Sequence, residues 1–189
     1  MEPAWRFALR SWRIARQRWQ LERELRARFP TLTMEPGVDL IRPERLTLGR
    51  NVGIHRGTIL HCGGMEWSQG EGSITIGDDS VISAYCVLFG AGHIEIGRGF
   101  DCGPGTKIFS SRSDYVANGA GDLPRKHVFA PVRIGDFVTL FADCVIGPGV
   151  TIGDGAAIAA GSIVLDEVEP HCLYAGVPAR KIRELRRPG

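Results

Sequence analysis

The sequence contains no run of eighteen apolar residues, so it offers no helix able to cross a bilayer. It also lacks a signal-peptide core near its start, and a cytoplasmic location is expected. Its five cysteines are an odd number with no CxxC or other ligand spacing, which argues against a disulfide framework or a common zinc module and suits a reducing compartment. Strong net charge is missing too, at +2 overall. The bases gather at the ends: residues 1–28 hold eight arginines against Glu2, Glu22 and Glu24, and the tail from Arg180 is again basic. The middle is acidic on balance, which excludes a nucleic-acid groove along it.

What the middle does have is a repeat. Ile134, Leu140, Ile146, Ile152, Ile158 and Val164 recur every sixth position, and a small or β-branched residue (Val138, Cys144, Val150, Ala156, Ser162) sits four places after each. A helix has period 3.6 and a half-buried strand period 2, so the repeat itself is the structural unit. Six residues make a short strand and a turn, and three units close a triangular coil. The predicted fold is mainly β, a parallel β-helix of about five coils over residues 36–168.

Written three to a coil, the aliphatic places are Leu48, Ile54, Leu60; Ile76, Ile82, Leu88; Ile96, Cys102, Ile108; Ile134, Leu140, Ile146; and Ile152, Ile158, Val164. The phase breaks only after Leu60, Leu88 and Ile108, which are the same corner of the triangle. The insertions 61–75, 89–95 and 109–133 should therefore leave one edge on successive rungs, where a rigid scaffold commonly displays function. His61, His93 and His127 fall in them, as do Ser111, Ser113 and Asp114. His55 and His171 lie elsewhere and read as structural.

Residues 1–30 read as an amphipathic helix. Trp5, Ala8, Leu9, Trp12, Ala15 and Trp19 form one stripe, and Phe7, Ile14, Leu21 and Leu25 form a nearly opposite one, with arginines between. One stripe can pack on the β-helix or a neighbouring subunit; Trp interleaved with Arg also suits the inner face of an anionic membrane. Residues 169–189 form a C-terminal basic segment.

The repeats, with the ending Leu173 to Ile182 that includes Val177 and Pro178, resemble the hexapeptide-repeat acyltransferases, and especially the small O-acetyltransferases of sugars and surface polysaccharides. The resemblance implies a left-handed β-helix, a homotrimer, acetyl-CoA as co-substrate and a sugar or glycan acceptor. It also implies direct attack on the thioester, with a His in the inter-subunit cleft as general base. The family's usual segment, Ser-His-Asp-Tyr, is here Arg112, Ser113, Asp114 and Tyr115, so the imidazole is replaced by Ser113. Either His93, His127 or His61 substitutes, with Asp114 as orienting group or sugar ligand, or the chemistry is different or absent; each imidazole has a plain loop or turn reading beside this one. The carry-over for coenzyme A falls on Ala142, Ala160 and Gly161 for the pantetheine arm and on Arg180, Lys181 and Arg183 for the phosphates. Trp67 can stack on a sugar or an adenine, or anchor its loop.

Two other readings share the fold. A γ-class carbonic anhydrase would use His61 as a zinc ligand, but the stretch Ile82–Gly90 lacks the two further His that such a site requires, so no metal is expected. A non-catalytic β-helix scaffold is the other.

Overall fold

The computed structural model describes residues 12, 16, 19–114 and 126–185. Within them the chain winds through three parallel sheets in strict rotation. The strands Leu46–Leu48, Gly53–Ile54 and Ile59–His61 lie one on each, and the cycle then repeats. The five-stranded sheet stacks Leu48, Ile76, Ile96, Ile134 and Ile152 in register. The eight-stranded sheet stacks Ile54, Ile82, Cys102, Leu140 and Ile158, and the six-stranded sheet stacks Leu60, Leu88, Ile108, Ile146 and Val164. These are the three expected columns, and all of them are buried. The architecture is the left-handed parallel β-helix of the resemblance.

The coils run further than the repeat. Thr33–Met34 and Asp39–Ile41 add a partial rung before Leu48, with Met34 on Ile54 and Leu40 on Leu60. At the other end Tyr174 stacks on Ile158, and Ala179–Glu184 folds back antiparallel to close the eight-stranded sheet. The basic C-terminal segment is thus partly a rung of the coil.

The fourth place of each repeat has a specific task at the corner between the eight- and six-stranded sheets. Thr58 Oγ1 donates to the Ser83 carbonyl at 2.9 Å, and Thr106 Oγ1 to that of Phe141 at 3.2 Å. The thiols of Cys86 and Cys144 reach the carbonyls of Gly103 and Ala159 at 3.4 and 3.3 Å, and Ser162 Oγ accepts from Gly176 N–H at 3.1 Å. Each small polar side chain satisfies a turn group one rung onward that burial would otherwise strand.

The insertions do leave by one corner, between the six- and five-stranded sheets. Hydrogen bonds stack them: Gly90 N–H donates to the His61 carbonyl, Ser110 N–H to that of Phe89, and Val132 N–H to that of His93. The longest opens into an antiparallel ribbon of Ser111–Ser113 and His127–Phe129.

Residues 19–28 are helical. Leu25 is buried, Phe29 packs on the core, and the Arg28 guanidinium donates to the carbonyls of Pro43 and Leu46 at 3.0 and 2.8 Å, fixing the helix to the first coil. Trp12 and Trp19 remain about 60 % exposed, with Arg16 and Arg23 over their rings. Trp5, Phe7, Ala8, Leu9, Ile14 and Ala15 lie outside the described residues. No described helix is long and apolar enough to span a membrane.

Candidate active site

Register accounts for the grouping at the insertion corner. Ser73 and His93 immediately precede Ile74 and Ile94, which are partners in the five-stranded sheet. The two side chains are therefore stacked neighbours, and Ser73 Oγ lies 2.9 Å from His93 Nδ1. With hydrogen on Nδ1, that nitrogen donates to the hydroxyl and Nε2 keeps its lone pair. Nε2 points outward, 3.9 Å from a Glu71 carboxylate oxygen, and the ring is 43 % exposed. The backbone of His93 is left-handed, φ 72°, so the residue turns the chain as well as presenting its ring.

At the same corner stands a wall of rings. His61 stacks on Phe89 with centroids 4.3 Å apart, and Trp67 lies 6.0 Å from Phe89, 4.8 Å from His127 and 5.9 Å from Phe129. Ser68 Oγ ties its own loop by donating to the Met65 carbonyl at 2.9 Å, which sets the turn Glu66–Ser68 that carries Trp67. Burial pushes the His61 imidazole below its ordinary value, with nearby Arg42 adding to the effect. Gly63 N–H approaches its Nδ1 at 3.3 Å, so that nitrogen accepts. His61 is thus a neutral packing ring, 7 % exposed, poorly placed to exchange protons with solvent.

The structure brings His61, His93 and His127 to one corner, as the phase breaks indicate. Asp114 extends the ribbon through its N–H, which donates to the Lys126 carbonyl at 3.0 Å. Phe89, Phe129, Ser73 and Glu71 escaped the sequence reading. The column alignment contained a signal for Ser73, because it occupies the place of His93 one rung earlier.

The positions carried over for coenzyme A sit at a different corner. Gly161 N–H donates to the Ala142 carbonyl at 2.9 Å, Ala160 is exposed, and a side chain at Gly161 would meet nothing within 4 Å. Between the two corners lies the six-stranded sheet, whose outward residues Ile59, Val87, Val145 and Ile163 are aliphatic, with Lys107 among them and Asp39 at the outer rung. The five-stranded sheet instead turns Thr47, Thr75, Glu95, Arg133 and Thr151 outward. Arg180 and Lys181 pair with Asp166 at 3.2 Å and Glu169 at 2.9 Å, both at the surface. Among the described residues, no group of three or more His, Cys, Asp or Glu gathers as metal ligands would.

The model of the bacterial transferase hexapeptide family, six repeats, matches residues 131–166, the uninterrupted coils. Over these coils the chain is similar to the hexapeptide-repeat transferases. The galactoside O-acetyltransferase of Escherichia coli K12 is 51 % identical over 55 residues, 29 % of this chain and 27 % of that protein. The dTDP-4-amino-4,6-dideoxy-D-glucose acyltransferase of Escherichia coli is 28 % identical over 146 residues, 75 % of this chain and 72 % of that one. The first match thus spans about a quarter of the relative's length. In three dimensions the chain is similar to AntD, an N-acyltransferase from Bacillus cereus in complex with dTDP and 3-hydroxybutyryl-CoA. There the TM-score is 0.74 and the identity 25 %, over 88 % of this chain and 89 % of that one.

Proposed function

We propose that this chain transfers an acyl group, acetyl in the first instance, from coenzyme A to a hydroxyl or amine of a sugar, with His93 as general base. The observation that carries the reading is the Ser73–His93 pair: one ring nitrogen is held by a hydroxyl and the other is open at the insertion corner. The acceptor's lone pair attacks the thioester carbonyl while Nε2 removes its proton; the tetrahedral intermediate then collapses, the C–S bond breaks, and the thiolate leaves and takes up a proton. A thioester needs no enzyme nucleophile for this. The named relatives act on a galactoside and on a dTDP-amino sugar, which supports the acceptor class.

The aliphatic face of the six-stranded sheet supports a homotrimer. Covering it with a second copy would bring the insertion corner of one chain against the small-residue corner, Ala142, Ala160 and Gly161, of the next. The thioester would reach His93 from the neighbouring subunit, and Arg180, Lys181 and Arg183 would meet the nucleotide phosphates by exchanging weak surface ion pairs for charge-assisted ones. Exposed Trp12 and Trp19 with their arginines support a peripheral contact with anionic lipid.

Release of free thiol from acetyl-CoA, followed with galactosides and amino-sugar nucleotides as acceptors, tests the reading. Acceptor-dependent thiol release that His93→Ala lowers by about 10² is expected; no release with any sugar, or full activity in that variant, sinks it. Light scattering should give the mass of three chains, and vesicles containing phosphatidylglycerol should sediment the protein.

A further inference from the structure

The insertion ribbon has two unlike faces. Residues paired directly across an antiparallel ribbon share a side, and the side alternates along the strand. Ser111 pairs with Phe129 and Ser113 with His127, so these four share one face; Arg112 and Val128 lie on the other. Trp67 packs on the first face, 4.8 Å from His127 and 5.9 Å from Phe129. Trp67 is still 39 % exposed and Phe129 36 %, so both rings keep a free surface.

The geometry points to this face as a binding platform for an uncharged pyranose, the ring of the acceptor rather than any nucleotide attached to it. A pyranose has an apolar flank of C–H bonds and a rim of hydroxyls. Trp67 and Phe129 match the flank through dispersion and ring electrostatics, while Ser111, Ser113 and the His127 ring edge match the rim. A nucleoside diphosphate would need cations for its phosphates, and the ribbon sends Arg112 to the opposite side. Trp67 and His127 act here as specificity residues. The rings come from two insertions far apart in sequence, so the platform exists only when the first and third insertions fold against each other. As an acceptor subsite it rests on the acyltransferase reading; as a sugar-binding face it does not.

Saturation-transfer NMR on the full chain, with methyl β-D-galactopyranoside and methyl α-D-glucopyranoside as probes and dTDP as control, tests it. At least one pyranoside should receive saturation on its ring protons from the native protein. Trp67→Ala and Phe129→Ala should each weaken that binding, by roughly fivefold or more, and Trp67→Phe should restore most of it. Thermal melts of each variant report folding, and Phe129→Ala decides the matter if Trp67→Ala does not fold. The inference is overturned if neither pyranoside binds, if folded variants bind like the native chain, or if dTDP alone binds in a Trp67-dependent way. Sugar binding without acyl transfer would leave the platform standing and remove the catalytic proposal. Transfer with Trp67-independent sugar binding would do the reverse.

Discussion

His127 lies directly opposite Ser113 across the insertion ribbon. Ser113 occupies the place where the resemblance puts an imidazole, and a directly paired residue has its Cβ only about 5 Å away on the same face. An imidazole therefore stands one cross-strand step from the expected place. Its ring is packed against Trp67, however, whereas that of His93 is oriented by a hydroxyl and open at Nε2. The two should separate kinetically. We expect His93→Ala to lower kcat by about 10² with little change in acceptor KM. His127→Ala should chiefly raise acceptor KM, and steady-state kinetics at saturating acetyl-CoA distinguishes the two. Equal loss of kcat in both variants would mean that the imidazoles work as one unit.

His61 should make the fold sensitive to mild acid. Burial holds its imidazole below the ordinary value. As pH falls past about 6.5, where the unfolded chain takes up its proton, the folded chain does not yet do so. The unfolded state then binds more protons, so the His61 contribution is complete above that pH and is lost progressively below it. Urea midpoints measured between pH 7.5 and 5 should decline, and His61→Phe, which keeps a ring against Phe89, should flatten that part of the decline. An unchanged slope in the variant would assign the sensitivity to another group.

The columns of the β-helix were legible because an aliphatic residue at every sixth place admits only one buried alignment, and the corner of the insertions followed from where that phase broke. The ring wall was not. It joins His61, Trp67, Phe89, His127 and Phe129 from three excursions, and no local period links residues whose packing is decided after the coils have stacked. The outer rungs at Met34 and Tyr174 were hidden for a different reason: Met34 has one stacking neighbour and Tyr174 is covered by an antiparallel strand instead of a further coil, so the six-residue rule is relaxed there. The fourth place read as small or β-branched, and only the structure shows that Thr58 and Thr106 hold it to reach a carbonyl on the next rung.

The glycine that follows the aliphatic place at one corner, Gly49, Gly77, Gly97, Gly135 and Gly153, answers to contact rather than to backbone conformation. A Cβ at Gly77 would lie 2.5 Å from the Gly97 carbonyl carbon and 2.6 Å from Arg98 N, both backbone atoms of the next rung. Backbone cannot step aside as a long side chain can, so the coils would have to part. Gly77→Ala should destabilise the protein by about 1–3 kcal/mol, as overpacking does. Chemical denaturation checks this, and an unaltered midpoint would show that the coil spacing is softer than the contacts imply.

The cysteines give a test that is independent of any ligand. All five are buried and unpaired in the described structure. Burial pushes the Cys62 thiol up to about 12, and Cys102 is raised by its contact with Cys86, whose sulfur lies 3.8 Å away, and by burial. Alkylation requires thiolate and access; the folded coil withholds access from all five and disfavours the thiolate at Cys62 and Cys102, whereas the Cys102 contact lowers Cys86. Iodoacetamide at pH 7.5 should therefore leave the native protein unmodified in intact-mass spectra over an hour, while the unfolded chain takes up five adducts. Because Cys86, Cys102 and Cys144 stand on successive rungs, partial labelling would also show which coil opens first. Modification of Cys62 alone would locate that opening at the first insertion, beside the ring wall, whereas rapid labelling of all five under native conditions would contradict the closed core.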